Sequence, residues 1–300
     1  MKLVKGKIHD KTFIGILINK ETQVLDIQRA EEELYENKSG PILMVDGIEK
    51  NDKWIEHLEQ IIHWSEKERE TVTFIYDLKD VILLAPIERP KKNIICVGKN
   101  YQRHAQEMGS LTPEHLVVFS KSPTAIIGPG ENICLHSHIT KQVDYEGELA
   151  VVIGKKGRAI KEEDAMDYVF GYTILNDITA RDLQANHQQF LLSKSLDTFC
   201  PIGPYIVHKS AIMDPNRLSL KTYVNGELRQ SAYVSEMMFN IPQMISIISR
   251  GMTLEVGDII ATGTPAGVGK GFNPPKYLSE GDKVEIEVEG IGVLSNSLSS

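Results

Sequence analysis

The sequence predicts an α+β protein in which a small α/β domain, residues 1–88, precedes a mostly β domain, residues 89–300. Three observations predict this class. Short apolar segments of strand length recur after residue 92, separated by Gly, Pro and Asn turns. Few helical segments interrupt them, so the regular alternation that a doubly wound parallel sheet needs is missing. Pro86 and Pro90, with the polar run ERPKKN, mark where the chain changes character.

In the first unit, residues 13–18 form an apolar run suited to a strand. Residues 26–37 have helical spacing, with Ile27, Ala30 and Leu34 on one side, and a second helix is expected over 54–67. Nothing in this unit assembles a chemical site. In the second unit, strands are expected over 93–98, 116–119, 148–153, 170–176, 205–208, 218–224, 258–262 and 283–288. Asn225-Gly226 between 218–224 and 227–230 is a hairpin signal, because both residues tolerate the left-handed turn. Helices are expected near 101–109, 179–190 and 240–250.

The 300 residues are 41% hydrophobic and 25% charged, enough for a sizeable core and not a disordered composition. A net charge of -8 without any basic block argues against nucleic acid as a partner. It leaves room for a small anionic substrate, because local cations can reverse the field. Cys96, Cys134 and Cys200 are widely spaced and odd in number, which fits a reducing compartment and buried, unreactive thiols. No run approaches the roughly 20 apolar residues of a membrane helix, and the N-terminus lacks a signal core. A cytoplasmic location and no membrane insertion are therefore expected.

The most informative stretch is 143–153, VDYEGELAVVI. Side chains two apart on a strand share a face, so Asp144, Glu146 and Glu148 should point together. Three carboxylates on one face repel. A hard divalent ion, Mg²⁺ or Mn²⁺, solves that problem; an edge strand facing water also tolerates it. Asp177, between the apolar run before it and a helix, offers a third ligand or else a helix N-cap. His104 and Glu107 are three apart and can meet on one helix face, where a carboxylate makes imidazole a better base. Such a pair also occurs on ordinary helix surfaces.

Arg181, four residues after Asp177, and Gln184 offer donors for a substrate carboxylate, with Lys121 a further candidate. Lys194 is either a solvated lysine or an ammonium placed to stabilise an enolate. The run Gly267-Val268-Gly269-Lys270-Gly271 looks like a phosphate loop but fails the pattern, with Thr264 where Gly is required and Gly271 where Ser or Thr is required. His136 and His138 raise a zinc alternative, but no further His or Cys stands at a suitable spacing.

The segments DYEGELAVVIGK, GYTILNDITARDLQ, KSLDTFCPIGP and GDIIATGTPAGVG, in this order, resemble the fumarylacetoacetate hydrolase family over about residues 90–300. The resemblance implies a mixed β-roll catalytic domain, usually in a homodimer, with Mg²⁺ or Mn²⁺ on Glu146, Glu148 and Asp177. It implies that the G-x-N-Y-x-x-H-x-x-E segment is a mobile lid whose His104–Glu107 pair closes over the substrate, with Gly98 and Gly109 as candidate hinges. It places Lys194 near substrate oxygens and gives Gly263 and Thr264 a substrate carboxylate to hold. The expected reaction is cleavage of a carbon–carbon bond in a small 2-oxo acid. Oxaloacetate decarboxylation stands first and acylpyruvate hydrolysis second. Isomerisation or hydration of unsaturated 2-oxo dicarboxylates stands third. A scaffolding role, centred on the N-terminal unit, is the non-enzymatic alternative.

Overall fold

The computed structural model describes residues 1–35, 43–67 and 72–300. Strands Lys2–Ile8 and Lys11–Ile18 form a hairpin, and Gln23–Asp26 and Ile75–Asp77 extend it on one side. On the other side Lys2–Ile8 pairs antiparallel with Cys200–His208. The sheet continues through Val169–Asn176, Gly147–Ile153, Ile259–Ala261 and Ile94–Gly98 to Val117–Lys121. One 12-stranded sheet therefore spans both parts of the chain. A five-stranded sheet runs in the order Glu227–Tyr233, Ser219–Val224, Lys283–Val288, Gly292–Ser299, Ile133–Cys134. Most pairs are antiparallel; Ile259–Ala261 with Ile94–Gly98 is parallel.

Alternation along strands explains the layers. In Gly147–Ile153, Leu149 and Val151 face a core shared with Leu220, Ile286 and Leu294 of the smaller sheet. Ala150 and Val152 face the opposite core, shared with Leu58 and Ile61 of helix Asp52–Lys67. Both faces are covered, which is why this strand is a continuous apolar run. Lys283–Val288 alternates buried and exposed residues instead, because one of its faces meets water. Trp54 stacks on Phe170 across the second core, with centroids 6.3 Å apart.

The expected helix over 26–37 is found as Ile27–Tyr35; its last two expected residues lie outside the described residues. The hairpin at Asn225-Gly226 is present, with both residues at positive φ, and its second strand runs on to Tyr233. The segment expected as one helix over 179–190 is two short ones, Arg181–Asn186 and Leu191–Lys194. The strand expected over 205–208 begins earlier, at Cys200. Among the described residues no helix is long and apolar enough to cross a membrane.

Candidate active site

The site lies where Gly147–Ile153 and Val169–Asn176 begin and end beside each other. The expected three-carboxylate face is corrected here: strand pairing breaks at Tyr145 and Glu146, so Asp144 leaves the shared face. Glu146 is fixed by its own backbone, its N–H donating to Asn176 Oδ1 (3.1 Å) and its carbonyl accepting from Asp177 N–H (2.8 Å). Asp177 is no helix N-cap, since Ala180 occupies that position, and it shares no helix face with Arg181. Ligand oxygens of Glu146, Glu148 and Asp177 all lie within 4.8 Å of one another, and all three residues are buried.

Three buried cations surround them. Lys194 Nζ donates to Glu146 Oε2 and Asp177 Oδ2, both at 2.7 Å. Lys121 Nζ donates to Asp177 Oδ1 (2.6 Å) and to the Ile178 carbonyl (3.1 Å). Arg181 donates to Asp144 Oδ2 through Nε (2.8 Å), to Gln184 Oε1 through Nη1 (3.0 Å), and lies 2.7 Å from Glu146 Oε1. Burial alone would raise the Glu146 carboxyl, but the Lys194 ammonium and Arg181 guanidinium outweigh it and hold it near about 2. Among the described residues Glu148 has no such partner; its one donor there is the Gly263 N–H at 2.8 Å. Burial and the charges of Asp177 and Glu146 push it well above the ordinary carboxylate range.

That imbalance is the observation that fits an ion. The donors are all carboxylate oxygens, and one of them lacks compensation that a hard dication would supply. Glu146, Glu148 and Asp177 would hold it. His136 and His138 do not join the cluster, and His136 Nε2 bonds instead to the Asp197 carbonyl (2.9 Å).

A cavity of about 200 Å³ opens over the cluster, lined by Glu146, Glu148, Arg181, Lys194, His104, Gln184 and Thr264 among others. A larger hollow of about 790 Å³ around Trp54 and His57 shares none of these residues. His104 and Glu107 lie on the short helix Gln102–Glu107, with Nδ1 and Oε1 2.8 Å apart. The other Glu107 oxygen accepts the Gly267 N–H (2.9 Å), so the helix is docked on the loop opposite. Gly109, at φ 65, ends this helix in the left-handed conformation that glycine favours; Gly98 closes strand Ile94–Gly98 in register with Val117.

Residues 93–299 match the family model described as fumarylacetoacetate (FAA) hydrolase, C-terminal. The chain belongs to the fumarylacetoacetate hydrolase family. Oxaloacetate tautomerase YisK of Bacillus subtilis is 53% identical over 301 residues, covering 99% of this chain and 100% of that protein. A solved fumarylacetoacetate hydrolase from Exiguobacterium antarcticum is 39% identical with a TM-score of 0.80, covering 100% of this chain and 99% of that one. Maleylpyruvate hydrolase from Sphingobium sp. SYK-6, solved with manganese(II) and pyruvate, is 30% identical with a TM-score of 0.76, covering 99% and 98% of the two chains.

In this fumarylacetoacetate hydrolase family member, not every substrate-binding candidate faces the cavity. Lys121 is fully buried and spent on Asp177 behind the cluster, outside the cavity lining. The Gly263 N–H is taken by Glu148. Thr264 lines the cavity, with its hydroxyl donating to the Gly147 carbonyl (2.9 Å) and accepting from Gln230 (2.8 Å). Asn100, the Asn of the G-x-N-Y motif to which the sequence assigned no role, ties the start of the His104 segment to the Thr262 and Phe239 carbonyls at 2.8 and 3.0 Å. Phe119 and Phe190, edge to face at 5.4 Å, wall the cavity. Nothing local marks them; only the fold brings them together.

Proposed function

We propose that this protein acts on oxaloacetate, moving a proton at C3 to interconvert its keto and enol forms, with Mg²⁺ or Mn²⁺ bound by Glu146, Glu148 and Asp177. The observation that carries this reading is the His104–Glu107 pair at 2.8 Å beside the carboxylate cluster. Full-length likeness to a tautomerase of oxaloacetate supports it, and a manganese and pyruvate complex of a relative supports the ion. Glu107 accepts a hydrogen bond from Nδ1–H, which leaves Nε2 as the basic nitrogen. Nε2 takes the C3 proton, the C–H electron pair becomes the C2=C3 double bond, and the imidazolium returns a proton to the C2 oxygen. A bound divalent ion supplies Lewis-acid stabilisation of the charge that develops on that oxygen. Lys194 commits two of its three N–H groups to Glu146 and Asp177 and keeps the remaining one for a substrate oxygen.

Decarboxylation is the second reading, because loss of CO₂ from C4 passes through the same enolate. It needs no base, whereas tautomerisation does; the docked His104–Glu107 pair therefore favours tautomerisation. The test is His104→Ala. Keto–enol conversion followed by ultraviolet absorbance should fall by about 10²–10⁴-fold, while pyruvate release persists. An unchanged conversion rate would overturn the assignment of His104.

A further inference from the structure

We infer that Lys270 binds the second carboxylate of the substrate and thereby makes the site selective for 2-oxo dicarboxylates. The inference rests on the oxaloacetate reading and deepens it.

The cations nearest the carboxylate cluster are largely committed, and the one N–H that Lys194 keeps is assigned above to a substrate oxygen. Lys121, Lys194 and Arg181 each hold one or two buried carboxylates. The carboxylate cluster itself repels a dianionic substrate, so a distal carboxylate needs its own partner. Lys270 lines the same cavity. It is exposed, and among the described residues no carboxylate stands within ion-pair distance of its ammonium. Lys99 also lines the cavity; Lys270 differs in that its own backbone N–H donates to Asp144, the carboxylate that pairs with Arg181.

Asp144 makes that tie. Its Oδ1 accepts the Gly269 N–H (2.7 Å) and its Oδ2 accepts the Lys270 N–H (3.0 Å), while Oδ2 also accepts Arg181 Nε (2.8 Å). Arg181 in turn meets Glu146 at 2.7 Å. The backbone of Lys270 is thus indexed to a carboxylate of the ion site through two fully buried charged groups. The other end of the loop is held by Glu107 at Gly267 N and by the Tyr145 hydroxyl at the Gly267 carbonyl (2.8 Å). A long side chain on so firmly held a backbone loses less freedom when it closes on an anion.

The placement has a chemical consequence. In decarboxylation the C3–C4 bond breaks, its electron pair moves to C3, and the C4 carboxylate leaves as neutral CO₂. An ammonium on that carboxylate stabilises the ground state more than the transition state and slows this step. Proton transfer at C3 leaves the carboxylate charged and keeps the ion pair. Lys270 therefore biases the site toward tautomerisation.

The experiment is calorimetric titration of the Mg²⁺-loaded protein with malate and with lactate, which differ by the second carboxylate and are inert here. Wild type should bind malate about tenfold or more tightly than lactate. Lys270→Met should erase that preference with lactate affinity unchanged, and Lys270→Arg should keep it. Absence of a preference in wild type, or its survival in Lys270→Met, would overturn the inference. A lysine-dependent malate preference in a protein that does not turn over oxaloacetate would support Lys270 and refute the proposed reaction alone.

Discussion

Among the described residues Glu148 is the carboxyl of the cluster without a lysine or arginine partner, and burial with the charges of Asp177 and Glu146 favours its protonated form. Its neighbours Glu146 and Asp177 each have lysine partners, while among the described residues Glu148 has a single backbone donor. Its raised value means that the folded, metal-free chain keeps this proton after the unfolded chain has released it. Metal-free stability is therefore lost as pH rises above the ordinary carboxylate range. An ion must displace the proton, so metal affinity rises with pH over the same range. Glu148→Gln keeps the acceptor for Gly263 and removes the repulsion. It should raise the melting temperature of metal-free protein at neutral pH and abolish the further gain on adding Mn²⁺, with metal affinity down about 100-fold or more. Thermal unfolding with and without the ion reads both effects, and a preserved Mn²⁺ gain would contradict the ligand assignment. Asp144, by contrast, looked like a fourth member of the cluster from strand parity. The break at Tyr145 could not be read locally, and it turns Asp144 toward Arg181 and the Gly269 backbone.

The loop from Gly267 to Gly271 is the element on which helix Gln102–Glu107 and Asp144 converge. Gly267 sits at φ 104, and a Cβ there would lie 1.9 Å from the Arg229 carbonyl oxygen. Gly267→Ala should therefore destabilise the protein by about 3 kcal/mol, from left-handed strain and backbone overlap together. Because the Gly267 N–H docks Glu107, it should also slow turnover. Chemical denaturation and kinetics on the same sample check this; wild-type stability would show that the loop is looser than its contacts imply. Elements of this kind are only partly legible in the sequence. Asn225-Gly226 announced its hairpin because turn chemistry is local. The His104–Glu107 pair was legible because i and i+3 meet on any helix. Cys200–His208 was read too short, since Pro201, Gly203 and Pro204 signal a turn, yet this segment sits inside the large sheet between Lys2–Ile8 and Val169–Asn176. Long-range pairing overrides local preference there.

At the scale of the molecule, the first strand is part of the sheet that carries the site. Lys2–Ile8 pairs with Cys200–His208, and the core beneath joins Leu3, Trp54 and Leu58 to Phe170 and Ile206. His208 marks this junction. Its backbone N–H donates to the Met1 carbonyl (3.0 Å), its ring lies edge to face on Phe170 at 5.1 Å, and Nε2 has no partner among the described residues. Burial, then the N-terminal ammonium and Lys209, lower its pKa to about 4. The unfolded chain takes up this proton near about 6.5, and the folded chain refuses it until about 4. Stability from neutral His208 is therefore complete above that upper value and lost as pH falls through the window. The melting temperature should decline across it, and His208→Gln should flatten the decline; an equal slope in the variant would place the acid sensitivity elsewhere.

Under the proposed function, Glu146, Glu148 and Asp177 would hold an ion whose charge supports proton transfer by His104 on oxaloacetate. The most direct measurement strips the purified protein with chelator, restores Mn²⁺ or Mg²⁺ stepwise, and follows oxaloacetate keto–enol conversion and pyruvate release in parallel. Conversion should vanish with chelator, return in proportion to bound ion, and be absent at every ion concentration in Glu146→Gln. Conversion that survives chelation, or an ion-loaded wild type that leaves oxaloacetate untouched, would contradict it.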